Sequence, residues 1–159
     1  MTIEIIAVGS IKETFMQAAV NEYKKRLGKY GNCVISEIKE AKEIKHLSDK
    51  AIEAMLDEEG NRILSKISQD SYVIALAIEG KMIDTQSFVK TLEDVMSYHS
   101  GHIVFVIGGS HGLSETVKKR ADYLLSFSKM TLPHQLMRIV LLEQIYRVMK
   151  IRNNEPYHK

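Results

Sequence analysis

The chain has 159 residues, of which 45% are hydrophobic and 26% are charged, with a formal net charge of +2 at pH 7. This length predicts a single domain, residues 1–159, with enough apolar surface to bury a core. The single cysteine, Cys33, excludes an internal disulfide. The sequence contains neither a signal-peptide pattern nor an apolar run of membrane-spanning length, so we expect a cytoplasmic protein with no membrane partner.

Strand-like and helical patterns alternate along the chain. Apolar runs rich in β-branched residues predict strands over residues 2–8, 32–38, 71–78, 102–107 and 122–127. Helical patterns occupy residues 12–30, 46–67, 84–98, 114–121 and 133–151. Ser48 and either Asp84 or Thr85 are the expected N-caps of the second and third helices, and Pro133 suits the first turn of the last. The alternation predicts an α/β fold, a parallel sheet covered by helices on both faces.

Charge is unevenly distributed along the chain. Residues 118–159 carry nine Lys and Arg against three Asp and Glu, whereas residues 1–117 carry thirteen against seventeen. A basic face near the carboxyl end is typical of proteins that meet phosphate groups, and it is equally compatible with an ordinary solvated surface.

The strand predicted at 102–107 ends in the glycine-rich loop Gly108-Gly109-Ser110-His111-Gly112. Ligands of open α/β sheets bind beyond the carboxyl ends of the strands, so this loop is the expected site. Read as G-x-S-x-G, it matches the nucleophile elbow of serine hydrolases, with Ser110, Asp122 and His134 in a suitable chain order. Alternatively, it is a cofactor loop in which glycines clear space and backbone N–H groups supply contacts.

The last predicted helix is apolar around more than one face. A helix that covers one side of a sheet needs an apolar stripe of only about 100°. The excess therefore predicts either deep burial of the helix or a second partner surface, of which we favour a homodimer interface. The apolar residues are Leu136, Met137, Ile139, Val140, Leu141, Leu142, Ile145, Val148 and Met149.

Metal and nucleotide signatures are missing from the sequence. His99 and His102 lie three residues apart, but no third ligand has a suitable spacing, so we expect no bound metal. Neither the dinucleotide-binding nor the P-loop glycine motif follows the first strand.

Several segments together resemble one known family. Residues 105–114, FVIGGSHGLS, resemble the glycine loop of the SPOUT methyltransferases. Residues 132–138 (LPHQLMR), 143–147 (EQIYR) and 154–159 (NEPYHK) resemble the signature of the ribosomal large-subunit pseudouridine methyltransferase H family. The resemblance covers the whole chain in length and element order.

The resemblance implies a SPOUT-type five-stranded, parallel-rich sheet with a C-terminal trefoil knot, a topology that is excluded by default for other chains. It implies S-adenosyl-L-methionine-dependent methylation at N3 of a pseudouridine in a 23S rRNA stem-loop of the assembled ribosome, by a homodimer. It assigns no chemistry to Ser110 or His111, where the family loop tolerates other residues. The cofactor-binding positions that it implies are Leu76, Gly108, Phe127, Ser128, Lys129, Met130, Thr131 and Leu132.

The reactive groups are expected in the carboxyl-terminal tail. An imide N–H is a poor nucleophile until it is deprotonated, so a base or a group that stabilises the anion is required. We hypothesise that His158, or a water held by an arginine, takes the proton while Tyr157 stacks on the flipped base. Arg138 and Arg147 would bind phosphates or steady the developing anion. The tail is expected to act at the cofactor cleft of the partner protomer, which makes the site composite.

A ribosome-binding protein without transfer activity is the alternative from another functional class. The cofactor loops are intact in the sequence, which favours the enzyme. Binding of S-adenosylmethionine distinguishes the two, because the enzyme must bind it.

Overall fold

The computed structural model describes residues 1–99 and 101–159. In this part of the chain, the strands are β1 (Thr2–Val8), β2 (Asn32–Ile38), β3 (Tyr72–Met82), β4 (His102–Ile107) and β5 (Tyr123–Ser126). The helices are α1 (Thr14–Leu27), α2 (Asp49–Leu64), α3 (Thr85–Tyr98), α4 (Glu115–Arg120) and α5 (His134–Arg152). The strands form one sheet in the order β2-β1-β4-β3-β5, and every pairing is parallel. The predicted α/β fold is confirmed.

The predicted helix starts depend on capping chemistry that the structure contains. Ser48 Oγ accepts a hydrogen bond from the Ala51 backbone N–H at 3.2 Å, and Asp84 Oδ1 accepts one from Ser87 N–H at 2.8 Å. Both side chains satisfy an N–H group that lacks a partner within its helix. Pro133 is the N-cap of α5 and does not lie in its first turn. None of the described helices is long and apolar enough to cross a membrane.

Two apolar clusters cover the two faces of the sheet. One contains the inward side chains of α1, α3 and α5 together with Ile5, Phe105 and their neighbours. The other is formed against α2 and α4, with Val104 and Val106 at its centre. Because β1 and β4 lie between both layers, their side chains are buried on both faces, which explains their continuous apolar sequences.

Helix α5 is fixed to the sheet by the buried side chain of Arg138. Its Nη2 donates to the carbonyl oxygens of Val8 at 3.2 Å and Gly9 at 2.7 Å, and its Nη1 pairs with Glu37 Oε1 at 2.8 Å. The residue is fully buried. These contacts place the first half of α5 at the carboxyl ends of β1 and β2.

Strand β3 is longer than predicted because it contains a bulge. Its pairing with β5 runs as far as Leu76 and resumes at Lys81, so residues 77–80 arch out of the ladder. At Gly80 the backbone passes against β5, and a Cβ built there would lie 2.8 Å from the carbonyl carbon and oxygen of Leu124. Only glycine allows this approach without a shift of one strand.

Replacing Gly80 with alanine is expected to lower the free energy of unfolding by about 1–3 kcal/mol, because the added methyl meets rigid backbone. Urea denaturation at one fixed protein concentration measures the effect. Gly28→Ala is the matched control: Gly28 has an ordinary right-handed helical conformation, so its substitution is expected to be neutral or slightly stabilising. Equal stability of the two variants would contradict the close approach.

Candidate active site

A cleft of about 350 Å³ opens at the carboxyl ends of β3, β4 and β5. Its walls are the β3 bulge, the glycine-rich loop after β4, the loop after β5, and the first turn of α5. This is the position at which open parallel sheets bind ligands. Its volume lies within the range of small-molecule sites.

Tight backbone turns shape the glycine-rich loop, whose Ser110 and His111 also line the cleft. Gly112 has a φ of +88°, a conformation that favours glycine, and its N–H donates to the Gly109 carbonyl at 3.1 Å. A Cβ on Gly108 would collide with the carbonyl of Gly112. The loop therefore folds back tightly on itself, and its backbone lines the site.

The loop after β5 is held by its own hydroxyl groups. Ser126 Oγ donates to the Ser128 carbonyl at 3.0 Å, and Ser128 Oγ accepts from Met130 N–H at 2.9 Å. The Phe127 ring packs edge-on against Phe88 with its centroid 6.5 Å away. These contacts order the loop along one wall of the cleft.

The structure brings the predicted cofactor residues together, with one exception. Residues lining the cleft include Leu76, Gly108 and the predicted β5-loop residues other than Lys129. Their binding of a cofactor stays a prediction.

An ion pair spans the cleft wall between the β3 bulge and α4. The Lys118 ammonium contacts the Glu79 carboxylate and holds the pKa of that carboxyl below its usual value. The same contact raises the pKa of Lys118. Each charge is therefore balanced by the other, and neither is an uncompensated charge facing the cleft.

A buried carboxyl supports the glycine-rich loop from behind. Glu59 Oε1 accepts from Ala41 N–H at 3.1 Å, and Glu59 Oε2 lies 3.8 Å from where a Cβ on Gly109 would be. Burial raises the pKa of Glu59.

The serine-hydrolase interpretation is wrong. Ser110 and His134 both line the cleft, at the carboxyl ends of the strands. Asp122 lies at the opposite end of the sheet, just before β5, where its Oδ2 accepts from Val73 N–H at 2.8 Å. The three side chains therefore cannot act as a triad.

The carboxyl-terminal tail folds back on the far end of α5. Asn154 makes the turn with a φ of +53°, and Glu155 N–H donates to the Lys150 carbonyl at 2.9 Å. The Glu155 carboxylate then pairs with Lys29, two residues beyond the end of α1, at 2.9 Å and with Lys150 at 2.7 Å. These two ammonium groups lower the pKa of Glu155 to about 2.

Three of the predicted catalytic residues, Arg147, Tyr157 and His158, lie together where the tail meets α5, and we call them the tail cluster. Tyr157 packs edge-on against Tyr146 at 5.0 Å, with the Arg147 guanidinium 4.8 Å from its ring centre. Its hydroxyl donates to Glu143 Oε1 at 3.3 Å, and burial raises the pKa of Tyr157 to about 12. His158 is exposed, with Nδ1 3.4 Å from Arg147 Nη1.

Arg138, the fourth predicted catalytic residue, is not in this cluster. Arg138 and Arg147 are nine positions apart on the helix, a rise of about 14 Å. Its guanidinium is buried against Glu37 and two backbone carbonyls, so within one chain it holds α5 in place and presents no surface to a phosphate.

Sequence reasoning missed the parts of the cleft that come from irregular structure. Ala77, Ile78 and Glu79 reach it because of the bulge, and Lys118 reaches it through helix packing. His134, which the sequence suggested only as a triad histidine, also lines it. The one available signal was Gly80, since an isolated glycine in a strand pattern often marks a bulge.

A family model and full-length relatives both indicate that this chain is similar to methyltransferases. The family model described as "Predicted SPOUT methyltransferase" matches residues 1–158. Proteins named ribosomal RNA large subunit methyltransferase H, from Clostridioides difficile, Lysinibacillus sphaericus and Bacillus pumilus, are 50%, 51% and 49% identical to this chain, each over 100% of both chains.

One solved structure is similar in fold. It is the crystal structure of a ribosomal RNA small subunit methyltransferase E from Neisseria gonorrhoeae, bound to S-adenosyl methionine. The match has a TM-score of 0.50 and 13% identity, and it covers 93% of this chain and 66% of that chain.

Acidification is expected to release the tail. A carboxyl with a lowered pKa stabilises the docked state fully above its ordinary value of 4.5, and this contribution is lost as the pH falls toward about 2. NMR of the Tyr157 ring should detect the release over this window. Glu155→Gln should give the released spectrum at pH 7, whereas Glu53→Gln, an exposed change on α2, should not. An unchanged Tyr157 environment in Glu155→Gln would refute the docking role.

Proposed function

The chain belongs to the SPOUT methyltransferase family and, within it, to the ribosomal RNA large subunit methyltransferases H; on this premise, we propose that it transfers a methyl group from S-adenosylmethionine to N3 of a pseudouridine in a 23S rRNA stem-loop. The assembled ribosome is the substrate, which places the protein in the cytoplasm. The observation that carries the proposal is the glycine-walled cleft at the carboxyl ends of β3, β4 and β5.

The residues of the cleft fit S-adenosylmethionine. Its adenine and ribose need apolar walls and hydrogen-bonding groups, and the cleft supplies Leu76, Phe127 and Leu132 beside the hydroxyls of Ser128 and Thr131. The cofactor carries no phosphate, so it needs neither a P-loop nor a cationic cradle.

Bound S-adenosylmethionine supplies a methyl group on a positively charged sulfur. The chain must then hold the acceptor nitrogen in line with that methyl group, since alignment is the main requirement of a displacement. Backbone of the loops after β4 and β5 binds and orients on the cofactor side. His158 or a water held by Arg147 takes the N3 proton, and Tyr157 stacks on the base.

A homodimer explains how the tail and the cleft meet. The tail cluster lies about 15 Å along α5 from Met137, the last cleft residue on that helix. Five of the nine apolar α5 residues are buried within the chain, Met137 lines the cleft, and Leu136, Ile139 and Val140 are only half-buried. A second copy that covers these side chains would bring its tail to this cleft and make the active site composite.

Residues 1–159 act as one SPOUT domain in this proposal, with the carboxyl-terminal segment threaded as a trefoil knot. The tight returns at Gly108 and Gly80, where backbone passes against backbone, support that path.

The activity is tested by incubating the purified protein with S-adenosylmethionine and ribosomes that lack the modification, followed by mass spectrometry of the 23S rRNA. We expect one added methyl group on a pseudouridine, and none on protein-free 23S rRNA. Cofactor binding without methyl transfer to any ribosomal substrate would indicate a ribosome-binding protein instead.

Removing residues 153–159 is expected to abolish methylation while leaving the affinity for S-adenosylmethionine unchanged in calorimetry.

His158→Ala should lower turnover by about 10²-fold or more, the usual contribution of a positioned base. Near-normal turnover would refute that role.

Mixed dimers test the composite site. A tail-deleted protomer paired with a cleft variant that no longer binds cofactor, such as Leu132→Arg, should regain activity that neither has alone.

A further inference from the structure

His134 occupies the junction between the cleft and the carboxyl end of β1. It is the first residue of α5, and it lines the cleft with Met137 one turn further on. Its ring lies against Gly9, where a Cβ would come within 2.9 Å of Cε1. Only 18% of the side chain is exposed. Packing therefore fixes the ring at the wall of the site.

The two ring nitrogens of His134 have different surroundings. Nε2 faces Glu40 Oε1 at 3.9 Å, which is beyond hydrogen-bonding distance. Nδ1 is buried without any hydrogen-bond partner, and it is an acceptor in the tautomer that carries the ring hydrogen on Nε2. Buried polar atoms are nearly always paired, so an unpaired one at a ligand site indicates a bond that the ligand completes.

No other residue of the cleft offers such a group in the described part of the chain. The other buried side-chain atoms without partners belong to Tyr30, His102 and Arg138, none of which lines the cleft. His111, on the glycine-rich loop, is exposed, and Glu79 is engaged by Lys118.

We propose that His134 is a cofactor-binding residue whose Nδ1 accepts a hydrogen bond from S-adenosylmethionine. This inference rests on the proposed function and adds to it a residue outside the set that the family resemblance implies. The donor is an N–H or O–H group of the cofactor, either its α-ammonium or a ribose hydroxyl. Gly9 lies against the ring at Cε1, and Met137 lines the same cleft one turn further along α5.

Isothermal titration calorimetry with S-adenosylmethionine tests the proposal on the full chain. His134→Ala should weaken binding about tenfold, the effect of removing one buried hydrogen bond. His134→Asn places an amide near the position of Nδ1 and should recover most of the affinity. His134→Gln places its amide nearer the position of Nε2 and should not. His46→Ala, an exposed histidine in the loop before α2, is the control and should bind as wild type does.

A second titration identifies the donor. 5′-Methylthioadenosine keeps the adenine and ribose of the cofactor but lacks the amino-acid group. A penalty for His134→Ala that disappears with this ligand assigns the bond to the α-ammonium. A penalty that persists assigns it to the nucleoside, and either result supports the proposal.

The contrary outcomes are separable. If wild type binds S-adenosylmethionine and the Ala, Asn and Gln variants bind it equally well, a water satisfies Nδ1 and this inference alone is overturned. If wild type binds no S-adenosylmethionine, the proposed function itself fails. The Asn and Gln variants decide the matter should His134→Ala not fold, because both keep a polar side chain of similar length.

Discussion

A single buried guanidinium determines where helix α5 lies. Arg138 is fully buried, and its partners are one carboxylate and the carbonyls that end β1. A charge removed from water is tolerated only when such partners surround it, so α5 has few alternative positions. This anchor brings His134 to the cleft at one end of the helix and holds the tail cluster about 15 Å from Met137 toward the other. Both halves of the proposed active site therefore depend on it.

The cleft is made largely from backbone, and its chemistry follows from that. Gly80 and Gly108 allow strands and loops to pass within distances that a methyl group would prevent. The walls also carry apolar side chains and hydroxyl groups, and the ion pair between Glu79 and Lys118 is internally balanced. Such a surface suits a ligand that has no phosphate. It also explains why no charged motif marks the site in the sequence.

Separation of the cleft from the tail gives the proposed dimer a catalytic role. Within one chain, Tyr157 and His158 rest against Arg147, and the Glu155 pairs with Lys29 and Lys150 hold the tail. A tail fixed in this way has no path to its own cleft along α5, whereas in the proposed dimer the partner's tail would reach it. The second copy would then complete the site, and cofactor binding and base recognition would be functions of different protomers.

The sequence alone was sufficient for the order of elements, the parallel sheet, most strand ends and two helix caps. These features depend on local periodicity and on side chains such as Ser48 and Asp84 that bond within their own turn. Its motifs also identified the family, and the resemblance named several residues that line the cleft, among them Leu76, Gly108 and Leu132. Only the tertiary structure decided the role of Arg138, the bulge before Lys81 and the position of His134. Each of these results from contacts between segments far apart in the chain, which no local pattern encodes.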